Sequence, residues 1–149
     1  MWKLAPFDQL SVQTLYQLLK LRVDVFVVEQ ACAYPELDGK DMLAEARHLW
    51  FETDDGDILA YARILPAGAG YDHPAIGRVI VASAARGLSL GQQLMKQAIG
   101  YCQQAWPHTP IDIGAQHYLL TFYQGLGFTP ISEVYLEDDI PHIDMRRLP

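Results

Sequence analysis

Cysteine is scarce in this sequence: Cys32 and Cys102 are the only two, they lie far apart, and no C-x-x-C spacing occurs. That excludes a disulfide framework and suits a reducing, cytoplasmic setting, in which both thiols read most simply as small hydrophobes. Long apolar runs are missing too. No window approaches the ~20 apolar residues of a membrane span, and MWKLAPFDQL, with Lys3 and Asp8, lacks the apolar centre of a signal peptide, so no membrane partner is expected. Basic charge is short, with 11 Lys plus Arg against 18 acids and a net charge of −7. This argues against a nucleic-acid partner, which wants a basic face. The excess of acid would attract a cationic substrate such as an amine, and would equally serve solubility. Repeats and low-complexity tracts are absent, as are the Walker loop and the Rossmann G-x-G-x-x-G fingerprint.

What is present is a chain sized for one domain, residues 1–149, half of it hydrophobic. A chain of this length buries roughly 68–70% of its unfolded surface and needs no metal or disulfide to fold. From Ser11 to about Gln30, Val12, Leu15, Leu18, Leu19, Val23, Phe26 and Val27 recur at helical spacing behind Ser11 as N-cap. The β-branched segment VDVFVVEQ is expected to break or tighten that helix, and Ala31 to Glu45 reads as an acidic loop with a turn at Leu37-Asp38-Gly39-Lys40. Strands are expected at His48–Thr53 and Ile58–Leu65, joined by Asp54-Asp55-Gly56-Asp57, and again at Ile76–Val81. A helix follows over Ser89–Ala105, with Leu90, Leu94, Ala98 and Cys102 four apart. Then come a strand at Ile111–Ala115, a helix at His117–Leu126 stopped by Gly127, and strands at Ile131–Leu136 and His142–Arg147. That order predicts an α/β layered fold around a mixed sheet.

Two segments carry chemistry. In GRVIVASAARGLSLGQQLM a strand ends at Val81, a turn holds Arg86, Gly87, Ser89 and Gly91, and a helix starts at once. Small residues let backbone N–H groups approach a ligand, and the helix start adds unpaired donors and a positive dipole end. A pyrophosphate is the natural guest, with Arg86 as a charged contact. By itself, the turn fits a plain strand-to-helix connection equally well. In IDIGAQHYLLTFYQGLGF a second strand leads into a helix bearing Phe122-Tyr123 and closing at Gly127-Phe128. Tyr123 lies one turn from Leu119 and Leu120, so it suits the core; with its hydroxyl in a cleft it would protonate a leaving thiolate.

Together the two segments resemble the GNAT N-acetyltransferase superfamily. Arg86-Gly87-Leu88-Ser89-Leu90-Gly91 matches its CoA-binding motif [QR]-x-x-G-x-[GA], and Ala115 followed by Phe122-Tyr123-Gln124-Gly125-Leu126-Gly127-Phe128 matches its downstream motif, over about residues 76–128. LRVDVFVVEQACAYPELDGKD, AYARIL, GRVIV, GQQLM and EDDIPHIDM extend the likeness along nearly the whole chain to the ElaA group of bacterial GNAT proteins. One departure is Ser89, where the superfamily motif has its first glycine.

The resemblance implies a mostly antiparallel sheet with helices on both faces and a splayed parallel strand pair that takes acetyl-CoA. Val79, Ile80 and Val81 would line the pantetheine, with the backbone of Val79 and Val81 pairing to it as to an added strand. Arg86, Gly87, Leu88, Ser89, Leu90 and Gly91 would hold the pyrophosphate, with Ala115 and Gln116 on the facing strand. Tyr123 would be the general acid at the CoA sulfur. A neutral amine of a small molecule or peptide would attack the thioester directly, the oxyanion met by a strand N–H. Its proton must go to a base, and Glu29, His142 and His48 are the candidates. His73, His108 and His117 sit in loops or beside a turn, and no metal is expected. Strand edges near the C-terminus would allow a homodimer. A module that binds CoA without acyl transfer, and an α/β domain using the turn for another nucleotide, are the competing readings.

Overall fold

The structure, a computed structural model, describes every residue from Met1 to Pro149. Its strands are β1 (Trp2–Ala5), β2 (Arg47–Glu52), β3 (Ile58–Leu65), β4 (Ala75–Val81), β5 (Ile111–Gln116), β6 (Phe128–Pro130), β7 (Tyr135–Glu137) and β8 (Ile140–Arg147). The helices are α1 (Val12–Val23), α2 (Leu90–Ala105) and α3 (Leu120–Gln124). All strands join one sheet in the order β1-β2-β3-β4-β5-β8-β6, with β7 also on β8. Every pairing is antiparallel except β4 with β5, so the expected mixed sheet with one parallel pair is the fold observed.

Alternation along β3 shows why both faces must be covered. Ala60, Ala62 and Ile64 face α2, whose Leu94, Met95, Ala98, Ile99 and Cys102 form the larger core with them. Tyr61 points the other way, into a smaller core with Leu18 and Val25 of the α1 side, Trp50 and Ile80. Ser11 caps α1, its Oγ accepting from the Thr14 N–H at 3.0 Å.

Four local expectations are corrected. β1 was not expected; its four residues pair with β2 but are too few for a sequence period. The β-branched run neither ends nor tightens the helix. It widens it into a π-helical turn over Asp24–Glu29, with Gln30 N–H donating to Val25 C=O and Cys32 N–H to Val27 C=O. The helix expected to Leu126 is a 3-10 turn at His117–Leu119 followed by the short α3, which stops at Gly125. The strand expected at Ile131–Leu136 is split: β6 ends at Pro130, which has no N–H to give the ladder, and β7 begins at Tyr135.

The parallel pair is the loosest joint of the sheet. Only Ala75 and Asp112 are in register, after which the strands diverge. The divergence starts at a bulge, where β4 carries one residue more than β3 between the pairs Tyr61–Ile80 and Arg63–Gly77. The bulged Arg78 has φ +51°, a left-handed conformation that costs a non-glycine residue about 1–2 kcal/mol. A ring of alternating charge holds it there. Arg78 Nε donates to Glu36 Oε2 (2.8 Å), which also accepts from Arg22 Nε (2.7 Å). Arg22 reaches Asp41 (2.7 Å), Asp41 meets Arg63 (3.2 Å), and Arg63 forks onto Asp38 (2.8 and 2.9 Å). Asp38 returns to Arg78 at 3.5 Å. Burial opposes ionisation of Asp38 and Asp41, yet the arginine contacts outweigh it and hold both carboxyls below their usual range.

Arg22 is 1% exposed, so truncating it leaves two buried carboxylates with one arginine each, Glu36 on Arg78 and Asp41 on Arg63. Arg22→Met is expected to lower the free energy of unfolding by about 3–5 kcal/mol in urea titrations. A loss within 1 kcal/mol (roughly the worth of a surface pair) would show that the ring does not hold the bulge.

Candidate active site

Where β4 and β5 part, the surface opens into a cleft of about 970 Å³, joined at one end to a hollow of about 520 Å³. Val81, Arg86, Gly91 and Phe122 line both, so one continuous channel runs from the start of α2 to the β7–β8 turn.

At the α2 end the backbone N–H groups from Gly87 to Gln92 donate to no group of the chain. Gly87, Ser89, Leu90 and Gly91 line the smaller hollow, and α2 directs its positive end there. Ser89 has φ +60° and ψ +18°, the left-handed conformation that favours glycine, and its side chain caps nothing. Arg86 lies across the channel: Nε donates to Val81 C=O (3.1 Å) and its guanidinium meets Glu29 Oε2 at 2.8 Å.

Mid-channel, Tyr123 is 6% exposed, stands edge-on to Phe122 and Phe128, and lines the cleft. Its oxygen has no partner in the chain yet is not sealed from the cleft. Burial pushes its pKa well above the usual value, so the phenol keeps its proton at all ordinary pH.

The far end is built by the β5–β8 ladder, whose cleft face shows the pairs Asp112–Arg146, Gly114–Asp144 and Gln116–His142. His142 Nδ1–H donates to Ile140 C=O (2.7 Å), so in the neutral ring the lone pair sits on Nε2, 3.5 Å from Glu137. Gln116 donates to Gln30 of the π-helical wall at 3.2 Å, so the two sides of the cleft are tied across its floor.

The family model described as acetyltransferase (GNAT) domain matches residues 18–149. The chain belongs to the GNAT acetyltransferase family. It is 47% identical to protein ElaA of Escherichia coli strain K12 over 146 residues, covering 98% of this chain and 95% of the relative. Among solved structures, an acyl-CoA N-acyltransferase from Pseudomonas aeruginosa superposes with TM-score 0.93 at 46% identity, covering 99% of this chain and 98% of that one. The crystal structure of Escherichia coli ElaA gives TM-score 0.92 at 46% identity, with the same coverage. GNAT acyltransferases draw the acyl group from a CoA thioester, and the row of free N–H groups at α2 suits its phosphates.

Most residues picked from the sequence gather along this GNAT channel: Val79, Ile80, Val81, Arg86, Gly91, Gln116, Tyr123, Glu29 and His142 all line the large cleft. Leu88 is exposed on the turn and lines neither hollow, so only its N–H is available. Ala115 turns its methyl into the larger core. His48 is corrected as a base. It is 2% exposed and outside the cleft, accepting from Tyr61 O–H at Nδ1 (2.6 Å) and donating from Nε2 to Asp41 C=O (3.1 Å). Burial lowers its pKa, so it is a neutral structural residue. Sequence reasoning missed Gln30, Tyr71, Gly114, Tyr135 and Asp144, all in the cleft lining. A glycine inside the apolar run IDIGAQ and the alternation His142–Asp144–Arg146 were the available signals.

Ser89→Gly is expected to raise the free energy of unfolding by about 1 kcal/mol while leaving acetyl-CoA affinity unchanged, and Ser89→Val to lower it. Urea titration and calorimetry test both, and a destabilised glycine variant would refute the assignment of strain to this residue.

Proposed function

We propose that this GNAT enzyme moves an acetyl group from acetyl-CoA to a primary amine by direct attack, with His142 as the base and Tyr123 as the general acid. The observation that carries the reading is one channel holding, in order, a helix start with unpartnered N–H groups, a protonated buried tyrosine and a histidine whose Nδ1 is engaged by Ile140 C=O. The thioester supplies an activated carbonyl and a thiolate leaving group. Everything else falls to the protein.

The N–H groups from Gly87 to Gln92 fix the pyrophosphate, and the splayed edge of β4 gives backbone partners to the pantetheine arm. An amine arrives mostly as ammonium and has no lone pair until it loses a proton. His142 Nε2 takes that proton, with Glu137 Oε2 3.5 Å away. Tyr123 O–H returns a proton to the departing sulfur; its raised pKa keeps the hydroxyl loaded. Glu29 is the second candidate, its carboxylate engaged by Arg86 at 2.8 Å.

Tyr123→Phe is expected to lower kcat roughly ten- to a hundredfold with little change in acetyl-CoA affinity, read by thiol release and calorimetry. Wild-type turnover in that variant across a broad pH range would remove Tyr123 from the mechanism. His142→Gln is expected to be most impaired near neutral pH and to recover as pH rises, because free amine then forms without a base. A defect of constant size from neutral to alkaline pH would assign the proton to another group.

A further inference from the structure

Resting on that reading, we propose that the acceptor carries a second positive charge, apart from the amine that reacts, and that Asp144 with Tyr71 and Tyr135 holds it. Asp144 Oδ1 accepts from Tyr135 O–H (2.6 Å) and Tyr71 O–H (3.2 Å). The chain offers Oδ2 no donor, and that oxygen is not sealed from the cleft. The arrangement depends on a missing side chain: a Cβ on Gly114 would stand 2.3 Å from the Tyr71 oxygen and 3.6 Å from Asp144 Oδ1. Opposite Asp144 the neighbouring strand is interrupted, Ser132 Oγ accepting the Asp144 N–H (2.9 Å) and Asp144 C=O accepting from Ile131 N–H (2.9 Å). The carboxylate is therefore fixed in backbone as well as side chain.

Charge pairing decides what such a group is for. Within the cleft, Glu29 is matched by Arg86, and Asp38 by Arg63 and Arg78. With Glu137 beside His142, Asp138 and Asp144 remain against Lys40, the one lining lysine or arginine that forms no ion pair. Two phenol donors already occupy Asp144 Oδ1, which leaves Oδ2 for a ligand. A carboxylate gripping the reacting ammonium would hold its proton in place and slow attack. Asp144 thus suits a cation that keeps its charge throughout.

Three probes separate the possibilities: cadaverine with two ammonium groups, n-pentylamine with one, and ε-aminocaproate with an anionic far end. Shorter linear diamines down to diaminopropane cover the unknown span. In transfer assays with acetyl-CoA, the best diamine is expected to exceed n-pentylamine in kcat/KM by about tenfold, as one charge-assisted contact implies, and ε-aminocaproate to be poorest. Asp144→Asn is expected to remove that advantage through KM, with n-pentylamine turnover and acetyl-CoA affinity unchanged. Tyr71→Phe, which removes one donor and no charge, should lose only part of it. Calorimetric titration of the CoA-loaded protein with the same amines gives the same comparison without turnover. If wild-type protein binds acetyl-CoA but acetylates nothing, the transfer reading fails alone and the titration still judges Asp144. Equal losses for diamine and monoamine in Asp144→Asn, or no loss for either, would overturn the proposal.

Discussion

The gap between β4 and β5 exists because Arg78 is held in a conformation that its own side chain disfavours. The hold is electrostatic: three arginines and three carboxylates from α1, the acidic loop, β3 and β4 close into a ring in which each charge touches two of opposite sign. Tyr34 adds to it, its hydroxyl donating to Glu36 and its ring facing the Arg78 guanidinium at 5.8 Å. Ion pairs taken out of water are poor sources of stability, because desolvation consumes most of the Coulomb gain. Their worth here is geometric. An apolar cluster would fill the same volume without fixing which residue of β4 bulges, whereas directional contacts to Glu36 and Asp38 select Arg78. The same ring fastens the acidic loop beside the cleft, so one set of contacts shapes both the parting of the strands and a wall of the channel.

The channel follows from that parting as a division of labour along one axis. Its α2 end is made of backbone donors, which cannot titrate and would suit an anion at any pH. Its centre is aromatic, and burial there keeps a phenol protonated. Its far end is made of side chains on the exposed alternation of β5 and β8, where residues two apart share one face. Moving outward along this axis, the groups shift from invariant chemistry to replaceable chemistry. On the proposed function the acyl donor would be met by main chain, and the acceptor by side chains that can be exchanged without disturbing the sheet.

Much of this was legible in the sequence, and the failures have physical reasons. The long helices and inner strands could be read because one face of each is buried, which stamps a period on the residues. Turn chemistry gave the hairpin at Asp54–Asp57 and the left-handed Gly39. The start of α2 was marked by its match to the family motif, since the small-residue turn alone fitted a plain connection equally well. Ser89 looked like a departure from the pattern, and its left-handed backbone explains why glycine is the usual choice there. The ring of charges was not readable. Its members come from four separated segments, and a lone arginine in AYARIL or GRVIV says nothing about its partners. His48 misled for a related reason: an imidazole serving a buried hydrogen-bond chain looks the same in sequence as one serving a substrate. The acceptor end was hardest, since Tyr71 reaches it from a loop and Gly114 matters through the atom it lacks.

The single register pair between β4 and β5 has a further consequence. The sheet consists of two antiparallel halves, β1–β4 and β5–β8, stitched along their shared seam by very little main-chain bonding. A ligand whose arm pairs with one half while its headgroup sits on α2 behaves as a structural member of the sheet. Its binding free energy then counts as cohesion between the halves, growing with the logarithm of its concentration. The larger core already joins the halves through α2, so bound CoA would add to that cohesion, and resistance to local opening and proteolysis would rise with its supply.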